Sequence, residues 1–374
     1  MMGAPLEGLR VLELARILAG PWIGQTLADL GAEVIKVESP QGDDTRTWGP
    51  PFIEREVDGR TDKTAAYFHS TNRGKQSIVV DFRSDEGQQK IRDLVMESDV
   101  LVENFKLGGL KKYGLDYESL AAINPRLVYC SITGFGQTGP YAHRAGYDFL
   151  IQGMSGIMSL CGEPDAQPQK AGVAIADIFT GLYGVIGIQT ALAEREKTGR
   201  GQHIDMALLD CMTAVLANQA MNYMTSGVSP NRMGNAHPNI APYQVMACAD
   251  GHLIIAVGND GQYQKLCSVL GCDELASDER FTTNPLRVQN RDALTESLSA
   301  YVMQWKKNDL LDALEAAGVP AGPINTVEEI LNDPQIESRG LKVNLDGVPG
   351  IRTPIVFSES ELKVEKPSPV LGES

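Results

Sequence analysis

Leu9–Glu38 reads LRVLELARILAGPWIGQTLADLGAEVIKVE, and this stretch decides the fold. Leu9–Leu14 is a short β-rich run. Gly20-Pro21 then opens a helical pattern that Gly31 closes as a C-cap. Glu33–Glu38 is the next strand. A strand–helix–strand unit of about thirty residues predicts a parallel sheet.

The alternation continues outward from it. A loop rich in Gly, Asp and Pro spans Ser39–Pro51. A strand is predicted over Ser77–Asp81, a helix over Asp85–Glu97, and strands over Val100–Glu103 and Arg126–Thr133. This pattern predicts an α/β fold with an open, doubly wound, Rossmann-like parallel sheet. Beyond Asp177, apolar residues at Ile178, Phe179, Leu182, Val185, Ile186, Ile188 and Leu192 predict one long helix stopped at Gly199. A short strand follows in HIDMAL, and one helix over Leu209–Met224. Residues 1–225 are therefore read as the large domain and 226–330 as a smaller α+β domain. The small domain holds a hairpin, Gln244–Cys248 with His252–Val257, and helices near Asp260–Leu270, Asp292–Gln304 and Asn308–Ala317. Residues 331–374, strand-like again in IRTPIVFSES, return to the large domain.

Composition bounds the function. The 374 residues carry 48 acidic against 33 basic side chains, a net charge of -15. That excludes a general nucleic-acid binder, which needs a basic face, and argues against an anionic membrane surface. No apolar run long enough for a membrane span stays unbroken. The N-terminal residues lack the basic and apolar regions of a signal peptide. The six cysteines show no CxxC pair and no ligand-spaced histidine, so neither a metal site nor disulfides are expected, and a reducing cytoplasm is. Gly134–Gly139 (GFGQTG) fits GxGxxG, the mark of a nicotinamide or flavin site. Pro140 and Tyr141 follow it instead of a helix, so a turn shaping a strand end is the better reading.

Five segments resemble one family when taken in order. They are Leu18–Pro21 with Gly31–Glu38, Asn72–Ser77 (NRGKQS), Val102–Phe105 (VENF), Gly146–Asp148 with Ala176-Asp177, and Lys197–Leu208 (KTGRGQHIDMAL). The chain resembles the class III CoA-transferases (CaiB/BaiF type), a family that includes racemases acting on acyl-CoA. The resemblance implies a large Rossmann-like domain and a small one, in an interlocked homodimer whose active site lies between domains and uses both subunits. GDDTRTWGPPF (Gly42–Phe52), GNAHPNIAPYQ (Gly234–Gln244) and TNPLRVQNR (Thr283–Arg291) look closest to the branch acting on succinyl-CoA and glutarate, with the oxalate enzymes next. The partners so implied are an acyl-CoA and a small carboxylic acid, with no tightly bound cofactor.

Asp177 matches the family's catalytic aspartate. The residues alone read as a lone carboxylate at the head of an apolar helix, costly to bury unless something satisfies it, and an N-terminal carboxylate favoured by the helix dipole. The family's chemistry would make it a nucleophile passing through aspartyl anhydride and thioester intermediates. By motif position, Arg16, Ile17, Ala19, Arg73, Lys75, Asn104, Phe105 and Lys112 are expected at CoA, with Tyr147 and Asp148 lining the cleft. The formyl-CoA branch has an arginine where this chain has Ser39, which puts one phosphate contact in question. The racemase branch has histidine where Tyr147 stands, and tyrosine is a poor base at neutral pH. Gly258, Asn259 and Gly261 match a glycine loop covering the intermediate, or form a hairpin-to-helix connection. Arg46 and His237 are the candidates for the far carboxylate of a dicarboxylic acid, or else a loop ion pair and a donor to loop backbone. The alternatives are an acyl-CoA racemase or isomerase, a nicotinamide oxidoreductase, and a module that binds CoA esters without turnover. The acidity is uneven: residues 271–374 hold eight more acidic than basic side chains, while 72–112 hold one more basic than acidic. A charged anionic cofactor is compatible with that local reversal.

Overall fold

A computed structural model gives the fold and describes residues 3–57 and 59–373. The Leu9–Glu38 stretch forms β1 (Arg10–Glu13), α1 (Ala19–Asp29) and β2 (Glu33–Glu38). The two strands are parallel, with Leu12 opposite Ile35. A hairpin absent from the sequence reading comes next, β3 (Phe52–Val57) with β4 (Arg60–Ala65), followed by the single turn α2 (Ala66–His69). FIEREV and RTDKTA carry too few apolar residues to show a period of two. Cross-strand ion pairs, Arg55 with Asp62 and Lys63 with Glu54, hold them instead.

The large sheet is completed by β5 (Gln76–Val79), β6 (Val100–Glu103), β7 (Val128–Thr133) and β8 (His203–Ala207). Among the described residues it has six parallel strands in the order β5-β2-β1-β6-β7-β8. Counted along the chain, that is 3-2-1-4-5-6, a doubly wound order that reverses between β1 and β6. Between these strands run α3 (Asp85–Met96), α4 (Tyr117–Ile123), α5 (Asp148–Met154) and α6 (Ile175–Thr198); α7 (Leu208–Ala214) and α8 (Ala217–Ser226) follow β8. Side chains of a strand alternate between faces, and here both faces are dry. Val11, Val100, Val102, Val128 and Cys130 pack against α1, α5, α6 and α7. Leu12, Leu101 and Tyr129 face the other way, against α3 and α4. The helix expected over Leu209–Met224 is two helices, because Ala217 takes a left-handed backbone (φ 43°). No glycine or proline marks that break.

The chain divides into two compact units. The first comprises everything up to Ile157, Lys170–Ser226 and the chain from Pro334; the second comprises Met158–Gln169 and Gly227–Asp333. Met158–Gln169 joins the second unit because Arg232 binds the carbonyls of Glu163, Pro164 and Ala166, and Gly234 N–H reaches Gly162 O. In that unit β9 (Tyr243–Cys248), β10 (Gly251–Ala256) and the short β11 (Ala321–Pro323) form an antiparallel sheet. It packs with α9 (Asp260–Leu270), α10 (Asp273–Ser277), α11 (Asn284–Gln289), α12 (Arg291–Val302) and α13 (Lys307–Ala317). Arg287 is the buried hub there. It gives hydrogen bonds to Ala241 O and Phe281 O, pairs with Asp260, and lies over the Tyr263 ring.

The tail differs from expectation. β12 (Lys342–Leu345) and β13 (Val348–Ile351) form a hairpin, but IRTPIVFSES is strand only at Ile351. From Arg352 the chain is an irregular strap over the first unit. It forms no ladder, and several of its bonds join side chains: Thr353 N–H donates to the Asp29 carboxylate, and Arg46 and Arg55 donate to the carbonyls of Pro369 and Ser368. All six cysteines are free thiols.

Candidate active site

Asp177 lies in the first turn of α6, half-buried, with no side-chain cap on that helix. No hydrogen bond or ion pair to its carboxylate is found among the described residues. Burial, and then the charge of Asp148, push its carboxyl up to about 7. Asp148 is the first residue of α5. One of its oxygens accepts from Ala176 N–H at 2.8 Å and the other from Gln152 Nε2 at 2.8 Å. Gln152 is fully buried and accepts from Ala171 N–H at 3.0 Å. Asp148 and Gln152 thus fix the entry into α6 and leave Asp177 as the unpartnered acid there.

Two glycines bring the first βα turn to this helix. A side chain at Gly181 would meet the Ala19 carbonyl oxygen at 3.0 Å, and one at Gly184 would meet Ile23 at 2.4 Å. Their absence lets α1 lie against α6 one to two turns beyond Asp177. In the turn itself Ile17 has φ 72°, rare for a β-branched residue. Its N–H is held by Asp43 at 3.2 Å. Arg16 exchanges two backbone bonds with the Asn104 amide and pairs its side chain with Asp44. Ala19 starts α1, whose N-terminus also lacks a side-chain cap. Phe105 is half-buried with its ring edge-on to Phe82, and Lys112 is exposed over Tyr113. Tyr147, the N-cap residue of α5, is exposed.

Three expected ligand contacts are corrected. Arg73 and Lys75 are buried and committed to protein carboxylates. Arg73 grips Asp29 through two bonds of 3.0 and 2.6 Å. Lys75 reaches Glu13 at 2.8 Å, Pro21 O at 2.9 Å and Asn72 at 2.8 Å. Burial takes the Lys75 ammonium down to about 8 against the pull of Glu13. Arg46 is clamped to Glu38 through Nε at 2.8 Å and Nη2 at 2.7 Å, so its ion pair is with the end of β2 and not with Asp43 or Asp44 of its own loop. A sequence displays the cations but not the acids that a fold brings to them. Glu13, Lys36, Asp43 and Lys75 form a fully buried charged layer beneath the first βα turn. Despite burial, the Lys36 charge and the Thr45 N–H hold Asp43 down at about 2.

Tyr67 was missed by the sequence reading. Burial, and then the charges of Asp177, Asp148 and Asp43, push its phenol above the usual range, so it stays protonated. Its ring stands edge-on to Trp48 at 5.4 Å. No local pattern marks it, since it lies more than a hundred residues from Asp177. The Gly134–Gly139 segment is a turn after β7 and opens no helix. A side chain on Gly134 would meet Gly146 Cα at 2.5 Å.

In the second unit, Gly258–Gly261 connects β10 to α9. Asn259 caps that helix at Gln262 N–H, and the Gln262 side chain accepts from Gly258 N–H at 2.8 Å. A Cβ at Gly258 or Gly261 would meet its nearest neighbour only at 3.4 Å, so packing does not require either glycine. His237 Nδ1 accepts from Asn239 N–H at 3.1 Å, an acceptor where a donor was expected. Burial and Arg291 lower its pKa. Among the described residues no cluster of His, Cys, Asp and Glu fits a metal ion.

A family model described as CoA-transferase family III matches residues 6–374. Succinate–glutarate CoA-transferase of Agrobacterium fabrum is 60% identical over 99% of this chain and 93% of its own. Succinyl-CoA:glutarate CoA-transferase of Homo sapiens is 40% identical over 99% of this chain and 84% of its own. The crystal structure of a CaiB/BaiF family protein from Brucella suis superposes with a TM-score of 0.89 at 67% identity, covering 99% of this chain and 97% of that one.

Proposed function

The chain belongs to CoA-transferase family III and is a CoA-transferase, and from that premise we propose that it moves CoA from succinyl-CoA to glutarate through Asp177. The observation that carries the reading is a half-buried acid at a helix start with no hydrogen-bond or ion-pair partner among the described residues. The ionised Asp177 oxygen attacks the thioester carbonyl, and CoA leaves as thiolate. The resulting mixed anhydride is attacked at the aspartyl carbonyl by that thiolate, which releases succinate and leaves an aspartyl-CoA thioester. Glutarate attacks the same carbonyl to give a second anhydride and free thiolate. The thiolate takes the glutaryl carbonyl, giving glutaryl-CoA and restoring Asp177.

Each tetrahedral oxyanion needs a donor. Tyr67, kept protonated, is the candidate in the first unit, and the Gly258–Gly261 backbone is the candidate in the second. That packing does not demand those glycines supports a ligand-facing role. Arg16, Ile17, Ala19, Asn104, Phe105 and Lys112 remain the CoA contacts of this reading, with Tyr147 and Asp148 at the cleft. His237 remains a candidate for the far carboxylate. The uncovered apolar faces of α5, α6 and α8 support an interlocked homodimer. Free thiols throughout suit a cytoplasmic enzyme.

Asp177→Asn tests the mechanism. With succinyl-CoA and glutarate, glutaryl-CoA formation read by mass spectrometry should fall at least a thousandfold while CoA still binds. Hydroxylamine should trap a hydroxamate on Asp177 of the wild-type enzyme only. Unchanged turnover in the variant rejects the assignment.

A further inference from the structure

The turn after β1 is strained, and the chemistry at Asp177 does not account for it. Ile17 is the one β-branched residue with a positive φ among the described residues; apart from Ala217 and Asp346, the others are all glycines. Such a conformation persists only where the surroundings over-determine it, and it clusters at ligand sites.

The surroundings here fix the turn residue by residue. Ala15 O accepts from Lys36 Nζ at 2.9 Å. Arg16 N–H donates to Asn104 Oδ1 at 3.0 Å, and Arg16 O accepts from Asn104 Nδ2 at 2.7 Å. Ile17 N–H donates to Asp43 Oδ2 at 3.2 Å. That oxygen also receives Lys36 Nζ at 3.0 Å, while Oδ1 takes the N–H and the hydroxyl of Thr45 at 3.0 and 2.8 Å. The Asp43 N–H itself is anchored on Glu38 at 2.9 Å. A carboxylate has about four lone-pair sites. Those of the buried Asp43 are all taken by the protein, so it has none for a ligand.

What Asp43 holds lies at a place of consequence. The sheet order reverses between β1 and β6, and the crevice beyond those two strand ends is where an open α/β sheet takes ligands. Residues 15–17 leave β1 there, and Asn104 follows β6 there. Ala19 starts α1 directly after, with its carbonyl against Gly181 on α6, one turn beyond Asp177. We propose that Asp43, braced by Lys36, is a positioning residue of the transferase: it locks the Ile17 turn in its left-handed form and so sets the start of α1 for CoA, without touching CoA itself. The proposal rests on the CoA-transferase reading in that Ile17 and Ala19 are taken there as CoA contacts. The competing role is a carboxylate that serves only the buried charged layer.

Calorimetric titration of the full chain with CoA separates the two roles through a double-mutant cycle. Asp43→Asn removes the charge shared by Lys36 and the Ile17 N–H, and CoA should then bind about tenfold more weakly. Ile17→Gly supplies a residue that adopts the left-handed form without steric cost. In that background the loss caused by Asp43→Asn should shrink to about twofold. A residue serving the buried layer alone gives the same loss in both backgrounds. Losses within about twofold of each other, or no loss in either, overturn the proposal. So does a wild type that does not bind CoA. If circular dichroism shows Asp43→Asn unfolded, Asp43→Glu takes its place in the cycle with the same outcomes, since it keeps the charge but displaces it by one methylene. The cycle reads binding alone. Coupling found in a protein that forms no glutaryl-CoA counts against the glutarate reading and leaves this proposal standing.

Discussion

Asp177 is under two opposed influences. The start of α6 favours its charge by roughly 0.3–1 kcal/mol, under one pKa unit. Burial and Asp148 act the other way and carry it from 3.8 to about 7, so they win. The folded pKa lies above the unfolded one, so the protein loses stability as pH rises from about 4 to about 7. Asp177→Asn removes that penalty. Its melting temperature should match wild type near pH 4 and exceed it above pH 7, by the equivalent of about 4 kcal/mol at most. A scanning fluorimetry series over pH measures the difference, and a constant gap would contradict it. Residues of this kind differ in how legible they are. The place of Asp177 at the head of an apolar helix was legible because that helix is local to it, whereas its expected role came from the family resemblance. Tyr67, Glu13 and the acids that hold Arg46, Arg73 and Lys75 were not legible, because what defines them is a partner brought in by topology.

At the scale of elements, α1 is fixed to β1 by an exclusion. A side chain on Gly24 would come within 1.8 Å of Glu13 Oε2, and that carboxylate is pinned by Lys36 and Lys75. Gly24→Ala would gain about 1 kcal/mol in helix propensity. Forcing the buried layer apart costs about 1–3 kcal/mol or more, since a charge pair is disturbed as well. The net result should be a destabilisation of about 2 kcal/mol in urea unfolding, and a stabilised variant would contradict it. The central strands were legible because both their faces are apolar. β3 and β4, held by cross-strand ions, were not. The tail was read as strand from its β-branched residues, yet its N–H groups go to Asp29 and to turns instead of a ladder.

At the scale of the molecule, the surface is not uniformly polar. Phe149 and Leu150 on α5, Phe179, Leu182 and Ile186 on α6, and Met224 on α8 are all exposed. The helix Ile175–Thr198 is long and apolar enough by length and composition to cross a membrane. Gly184, Ile188 and Ala191 nonetheless pack in the first unit. A monomer seldom leaves such a face open. Light scattering should therefore give twice the chain mass, and Ile186→Glu should shift it toward one chain. A single-chain mass for wild type would contradict the homodimer. The large unit's alternating pattern was legible along the chain, but this face was not: an outward Leu and an inward one look alike until the sheet shows which side is covered.

The strap also has a consequence in time. Arg46 donates to Pro369 and Asp29 accepts from Thr353, separations of 323 and 324 residues. A ribosome adding about 5–20 residues per second needs roughly 16–65 s to cover that interval. Through it, the first βα unit waits with these contacts unmade. The nascent first unit therefore cannot mature domain by domain from its N-terminus. It is finished only when the strap, through Pro369, has left the exit tunnel.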